Sequence, residues 1–303
     1  MNKKLNIAVT GAFGYSGKYI TKRLLSLGYH VRKLTNSKNK PNPFGEQIDV
    51  YPLNFHNESA LRHSLSSVDV LINTYWVRFN HKKFNHHDAV QNTKVLFNTA
   101  KAAGVKRIIH VSITNPSIAS NLEYFHGKAE LEDYLKKMEM GYAIIRPAVI
   151  FGKEDILINN IAWIIRKLPV FGVFGKGDYK LQPIYVEDMA ALIVNQITQS
   201  QDVTINAIGP ETFTYKEIVS KIMKIIDVKK KIIHVDPFIG YLVGRLLSFF
   251  KNDVTITRAE IKGLMSDLLF VNDSPKGKTK LSEWAMENKN GLGNEYANEL
   301  SRR

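Results

Sequence analysis

The chain has 303 residues, 44% of them apolar, which suits one large α/β domain or such a domain with a smaller lobe. It has no cysteine, so disulfides, thiolate zinc sites and a cysteine nucleophile are excluded. Lysine and arginine number 42 against 28 acidic residues, a formal net charge of +14. That balance can serve nucleic acid, acidic lipid or a phosphorylated ligand. The densest basic run, Lys229-Lys230-Lys231, is short enough for an ordinary solvated loop, and no nucleic-acid partner is expected.

Met1-Asn2-Lys3-Lys4 leads directly into an apolar run, Leu5 to Val9, that reads as a buried strand. No signal peptide fits before it, and a cytoplasmic setting is expected. The segment Thr10-Gly11-Ala12-Phe13-Gly14-Tyr15-Ser16-Gly17 places a glycine every third residue, and a helix is predicted from Ser16 to Leu27, ended by Gly28. A glycine turn between strand and helix aims backbone N–H groups and the positive helix end at the place a pyrophosphate can occupy. Gly11 allows the tight turn, Gly14 the approach of the phosphates, and Gly17 the packing of helix on strand. An ordinary strand-to-helix turn needs one glycine, not three.

His30 to Thr35 reads as the second strand. An acidic residue near its end would hold ribose hydroxyls, yet Val31-Arg32-Lys33-Leu34-Thr35-Asn36-Ser37 has none. Arg32 and Asn36, with Thr35 and Ser37, are instead expected to meet a 2′-phosphate, favouring NADP(H) over NAD(H); the alternative is that Arg32 and Lys33 are simply exposed. Lys38 to Gly45 is a loop, and Ile48 to Leu53 a short strand followed by Asn54-Phe55, placed to lie against adenine. Glu58 to Leu65 is a helix. Val68 to Asn73 is a fourth strand, with Asn73, Thr74 and Tyr75 at its carboxyl end, the side on which such sheets bind ligands. His86 to Ala103 is a helix stopped by Gly104, and Arg107 to Ser112 a fifth strand. The alternation predicts a doubly wound parallel sheet.

Leu122 to Met138 is helical, and Tyr142 to Ile150 is a sixth strand containing Arg146-Pro147. Pro183 to Val186 is extended, Asp188 opens a helix to Ile197, and Val203 to Ile208 is the last core strand. Beyond Gly209 strands become rare. Phe213 to Ile226, Phe238 to Phe250 and Thr257 to Leu269 look helical, and Ser282 to Arg303 is a polar closing helix or loop. Residues 1–152, completed by about 183–208, are expected to form a Rossmann-type domain; residues 153–182 and 209–303 form a smaller, mainly helical substrate lobe over the cofactor. Neither Ile156–Phe174 nor Phe238–Phe250 reaches the about 18–20 continuous apolar residues of a membrane span. Both read as core or as walls of an apolar pocket. Peripheral membrane contact through an interfacial helix at the second is the less favoured alternative.

Tyr124 and Lys128 lie four apart on a predicted helix and share a face. An ammonium beside a phenol stabilises the phenolate and brings it toward the working pH. The tyrosine can then exchange a proton with a hydroxyl or carbonyl oxygen while hydride moves to or from nicotinamide. Lys128 can also hold the nicotinamide ribose, and Ser112, or failing it Thr114, the substrate oxygen. Tyr29 and Lys33 share the spacing but lie on the second strand. Arg146 is read as an anchor for its strand end and Asp188 as an N-terminal helix residue supporting the loops near the site. Apart from Asp88, no carboxylate has ligand spacing around His81, His86 and His87, and no metal site is expected.

Thr10 to Gly17 resembles the TGxxGxxG fingerprint of the short-chain dehydrogenase/reductase superfamily, and Tyr124 and Lys128 match its YxxxK pair. Arg146-Pro147 with Phe151-Gly152 looks like its RPxxxxG segment, and Ile184 to Ala190 resembles hxVxDhA. Together they cover roughly the first 200 residues in order. The chain is most similar to atypical members of the epimerase/dehydratase and NmrA-like type, including relatives of the accessory NAD(P)-binding subunit of respiratory complex I. The resemblance implies cofactor contacts from Thr10, Gly11, Phe13, Gly14, Tyr15, Gly17, Arg32, Asn36, Asn54, Asn73, Thr74, Tyr75, Lys128 and Pro147, and a catalytic set of Tyr124, Lys128 and Ser112. It implies an oxidoreductase acting on a small carbonyl or alcohol or, alternatively, a dinucleotide-binding redox sensor or assembly subunit without turnover. The Ser112-Ile113-Thr114-Asn115-Pro116 turn departs from the SSxxVYG of sugar epimerases, which argues against nucleotide-sugar chemistry. Substrate identity and oligomeric state have no mark in the sequence.

Overall fold

A computed structural model describes residues 5–36 and 41–302. In chain order the first elements are β1 (Asn6–Thr10), α1 (Tyr15–Ser26), β2 (His30–Thr35), β3 (Ile48–Pro52), α2 (Glu58–Ser64), β4 (Val70–Asn73), α3 (His86–Ala102), β5 (Arg107–Val111), α4 (Glu123–Lys136) and β6 (Gly141–Pro147). They build a seven-stranded sheet in the order β11-β6-β5-β4-β1-β2-β3, where β11 is Val203–Ala207. From β6 to β3 every pair is parallel. This is a Rossmann-type order, in keeping with the doubly wound parallel sheet expected from alternating strands and helices. The central strands are continuous apolar runs because both faces are covered: Ile7, Ala8, Val9, Leu71, Ile72, Ile108 and Ile109 have no or almost no exposed surface.

The remaining elements are β7 (Val149–Phe151), α5 (Leu157–Lys167), β8 (Val170–Phe174), β9 (Lys180–Leu181), β10 (Pro183–Tyr185), α6 (Val186–Asn195), β12 (Phe213–Thr214), α7 (Tyr215–Ile225), β13 (Lys231–Val235), α8 (Pro237–Lys251), α9 (Arg258–Met265) and α10 (Leu281–Glu287). The chain divides into two compact units: the residues up to Arg146 with Met189–Ile205, and Pro147–Asp188 with Asn206 onward. The second unit has its own core, centred on α5, β8 and α7.

Three expectations are corrected. The single strand from Tyr142 to Ile150 breaks at Ala148, and its second half, β7, pairs with β10 instead of continuing β6. The basic run at Lys229-Lys230-Lys231 leads into a strand: β13 pairs with β8 in parallel, from Lys231 opposite Val170 to Val235 opposite Phe174. The third concerns the two apolar stretches. The first gives α5, whose Ile158, Ile161, Ala162, Trp163 and Ile165 are buried as expected. The second gives α8, which is neither core nor pocket wall: Phe238, Ile239, Leu242, Val243, Leu246, Phe249 and Phe250 are all exposed. Beside Tyr241, its inward residues Gly240, Gly244 and Ser248 are small, with Gly244 its buried position. A Cβ at Gly240 would sit 2.4 Å from the Phe174 ring, and one at Gly244 2.7 Å from Ile256. Glycines let the helix backbone approach the unit closely, and the large side chains are left on the outside.

Candidate functional site

The glycine loop is held in the geometry its spacing predicts. Gly11 has φ +67°, Gly14 N–H donates to the Gly11 carbonyl at 2.8 Å, and Gly14 caps α1 without a side-chain hydrogen bond. A Cβ at Gly17 would stand 2.1 Å from the Gly11 carbonyl oxygen, so the helix touches the loop there and no side chain fits. The first turn of α1 contains no acidic residue. No acidic side chain of that turn neutralises its N–H groups and positive end, as a phosphate cradle requires. On these observations the loop fits a dinucleotide pyrophosphate.

The loop is tied to the neighbouring strands from beneath. Thr10 has no exposed surface, and its hydroxyl donates to Asn73 Oδ1 at 2.8 Å while accepting the backbone N–H groups of Thr74 and Tyr75. Thr74 returns a 2.6 Å bond to the Thr10 carbonyl. Asn73 is also fully buried and meets His110 Nδ1 at 3.1 Å. Burial, then the nearby Lys128 charge, hold the His110 pKa well below its usual value, so the imidazole is neutral. Thr10 and Asn73, expected to touch the cofactor, here spend their side chains on holding β1, β4 and β5 in register. His110 escaped the sequence reading because its partner is 37 residues away.

At β2 the structure moves one expected contact. Arg32 lies in mid-strand, and its guanidinium donates to the carbonyls of Ser64 and Ser66 at 2.9 Å and rests 4.0 Å from the Tyr51 ring. These carbonyls precede β4, at the amino edge of the sheet, so Arg32 is turned from the carboxyl edge where a 2′-phosphate would sit. Lys33 is not exposed either: it is 2% accessible, with its ammonium 3.1 Å from the Phe13 ring centre. Asn36 is exposed just beyond β2, and Ser37 lies outside the described residues. Asn54 turns onto its own loop, accepting from His56 N–H, while Phe55 meets Tyr75 with ring centres 5.1 Å apart. Tyr15 is half-buried on the first turn of α1, and Pro147 closes β6 and begins the second unit.

On α4, Tyr124, Lys128 and Glu132 occupy three successive turns of one face. Lys128 is 2% exposed and donates to the Val111 carbonyl at 2.7 Å. Burial pulls it down to about 7, against the opposing charge of Glu132. Trp76 covers this pair. Its ring lies 4.3 Å from the Lys128 ammonium, edge-on to Tyr124 at 5.6 Å, and stacked on His86 at 5.8 Å. Trp76 Nε1 and His86 Nε2 are buried without a protein partner, two donor or acceptor positions left beside Tyr124. Ser112 is turned away from any substrate: its hydroxyl donates to Glu132 Oε1 at 2.6 Å, and Arg146 completes the ion pair with the same buried carboxylate. Arg146 thus anchors the end of β6, as read from the sequence. Thr114 is also fully buried.

Beside Tyr124, a polar cleft of about 480 Å³ is lined by Asn80, His86, Ser120, Glu123, His126 and Glu130, among others. Glu123 accepts from Asn80 at 2.7 Å and approaches His86 Nδ1 at 3.4 Å. The Asn80 bond, more than His86, keeps its carboxyl below the usual range. Among the described residues no group of three or more His, Asp or Glu has the arrangement of a metal site. In the second unit Asp188 accepts the backbone N–H groups of Lys278 and Thr279, both at 2.7 Å, and so ties that loop to α6.

The description "NAD dependent epimerase/dehydratase family" matches residues 7–209. Over 221 residues, 69% of this chain and 55% of the relative, the sequence is 28% identical to the mitochondrial NADH dehydrogenase [ubiquinone] 1 alpha subcomplex subunit 9 of Arabidopsis thaliana. The chain spans about half the length of the curated relatives of this kind that it matches. Among solved structures, triphenylmethane reductase of Citrobacter sp. complexed with NADP(H) superposes with a TM-score of 0.76 at 14% identity, covering 93% of this chain and 99% of that one. The NADPH-dependent quinone oxidoreductase QOR2 of Escherichia coli, complexed with NADPH, gives 0.73 at 20% identity, covering 95% and 100%. At these identities the structural likeness is one of fold. Among the described residues no helix is long and apolar enough to cross a membrane.

Proposed function

The chain belongs to the NAD-dependent epimerase/dehydratase family, and from that membership we propose that it binds NADP(H) at the Gly11–Gly17 cradle and exchanges hydride with a small carbonyl or alcohol. The observation that carries the binding is the contact between Gly17 and the Gly11 carbonyl, too close for any Cβ, at the head of a helix with no acid in its first turn. Gly11, Gly14 and Gly17 hold the pyrophosphate, with Phe13 and Tyr15 beside it. Thr74 and Tyr75 line the edge beyond β4, with Asn54 and Pro147 at the ends of their strands. The absence of a carboxylate after β2, with Asn36 exposed there, supports the preference for NADP(H). Arg32 takes no part in it.

Nicotinamide supplies or accepts hydride when bound. Tyr124 gives a proton to, or takes one from, the substrate oxygen. Lys128 on the next turn stabilises the phenolate while it is charged. Burial brings Lys128 to about 7, so the ammonium is lost as pH rises through that value, and turnover that depends on it falls over the same window. Tyr124→Phe should lower turnover by about a thousandfold or more while nucleotide affinity persists. Full activity in that variant would sink the mechanism. Calorimetry with NADPH and NADH tests the cradle: no heat with either removes it, and tighter NADH removes the preference.

A second reading, a dinucleotide-holding subunit of a larger assembly without turnover, draws on three observations. Ser112 is committed to Glu132, Trp76 lies over Lys128, and the curated relatives include respiratory-complex subunits. Tight NADPH binding with no hydride exchange against quinones, aldehydes and ketones would favour it.

A further inference from the structure

We propose that α8 is an interfacial anchor that lays its outward face on an anionic lipid bilayer. The helix is amphipathic in the inverse of the usual sense. Gly240, Tyr241, Gly244 and Ser248, at helical spacing, face the unit, while Phe238, Leu242, Leu246 and Phe249 recur every three or four residues on the outside. Phe249 and Phe250 are 82% and 72% exposed. Seven large apolar side chains exposed on one helix form the kind of surface patch that marks an interaction site.

The charges around that stripe select the occupant. Between the capping Asp236 and the buried Asp253 there is no carboxylate, and Arg245 lies exposed on the outward stripe, whereas Lys251 turns inward, 4.6 Å from the Trp163 ring. Arg258 sets its guanidinium 5.2 Å from the Phe238 ring. The whole chain carries +14. Cations flanking an apolar stripe are what a phosphate-bearing bilayer surface attracts: the rings enter the acyl boundary and the guanidinium groups stay at headgroup level. A second copy fits less well, because a two-fold pairing about the helix centre would bring the two Arg245 charges together inside an apolar seam. A protein partner fits less well too, since Arg245 is the one hydrogen-bonding side chain on the stripe, leaving little to fix register. The anchor is independent of turnover at Tyr124.

The test is flotation of the full chain with vesicles of neutral phosphatidylcholine, and of the same lipid with about 30 mol% phosphatidylglycerol. Expected is at least about tenfold stronger partition onto the anionic vesicles, weakened by salt. Phe249→Ser combined with Phe250→Ser should lower that partition by at least about tenfold while the thermal midpoint is kept, because both residues are exposed. Ile118→Ser, an exposed apolar residue of the first unit, is the control expected to change nothing. Absence of binding, equal binding of the double variant, or a dimer that the double variant dissociates without any vesicle binding would each overturn the proposal.

Discussion

Helices α5 and α8 arise from similar apolar stretches, and each starts at an aspartate: Asp155 accepts from Ile158 N–H at 2.6 Å, Asp236 from Phe238 N–H at 2.8 Å. Their apolar residues nevertheless meet opposite surroundings. The C-terminal segment of the chain closes over α5. Asn160 exchanges two hydrogen bonds with the Ala297 backbone, Arg166 donates to the carbonyls of Leu292 and Lys289, and Gly293 comes so near that a Cβ would stand 2.4 Å from Trp163 N. Nothing in the described chain covers the outer face of α8. Hydropathy states that a side chain is better out of water; it does not state whether the same chain supplies the surface that removes it.

The same substitution made in both helices breaks the comparison most strongly. Ile161 is 2% exposed in the core of the second unit. Ile161→Gln buries an amide without partners and loses packed apolar area, which should cost about 3 kcal/mol or more. Chemical denaturation with a fall in midpoint and unchanged slope checks it.

The aspartate just ahead of α5 supplies a pH dependence of the next size. Burial raises the Asp155 carboxyl to about 7, overcoming the backbone and Asn159 hydrogen bonds that favour the ionised form. Its folded pKa is thus above the unfolded value of 3.8. The native state holds the proton more tightly, so this contribution is complete at pH below 3.8 and is lost as pH rises through about 7. Stability should fall by on the order of 2 kcal/mol between pH 5 and pH 8 from this group. Asp155→Asn, which cannot ionise, should flatten that part of the profile in denaturation series at the two pH values. An unchanged slope would remove the assignment.

On α8 the sensitive face is the one made of glycine. Gly240→Ala gains helix propensity of about 1 kcal/mol but drives a methyl to 2.4 Å from the Phe174 ring, itself packed in the core. Overpacking at a rigid neighbour should exceed that gain and leave a net loss of about 1 kcal/mol. A stabilised variant in thermal melts would show that α8 can lift from the unit at little cost.

These contrasts mark what a sequence discloses. The Gly11–Gly17 loop was legible because each glycine meets a local demand, a positive φ or a backbone contact within seven residues. The parallel, doubly wound character of the sheet followed from alternating strands and helices. The break at Ala148 was hidden because the apolar run continues across it, although its two halves join different sheets. Strand β13 was hidden by the lysines at its head and exists because β8 offers an edge. Ser112 read as a substrate contact because its partner, Glu132, is brought near only by the fold, although Glu132 lies one turn beyond Lys128 and that spacing was visible. In α8 the four-residue rhythm of Gly240, Gly244 and Ser248 was the available sign that the small side faces inward.

The smallest expected effect is the sharpest test of that last point. Leu246 is 60% exposed on the outward stripe, and its replacement by glutamine keeps the helix propensity nearly constant. Removing an exposed leucine opens no cavity, strands no polar group and breaks no cap, so Leu246→Gln should change stability by less than about 0.5 kcal/mol. Set against Ile161→Gln, the pair measures how much of the apolar content of each helix works for the fold. A loss near that of Ile161 would mean that the outer face of α8 is covered in solution, and mass measurement across a dilution series would then show whether a second copy covers it.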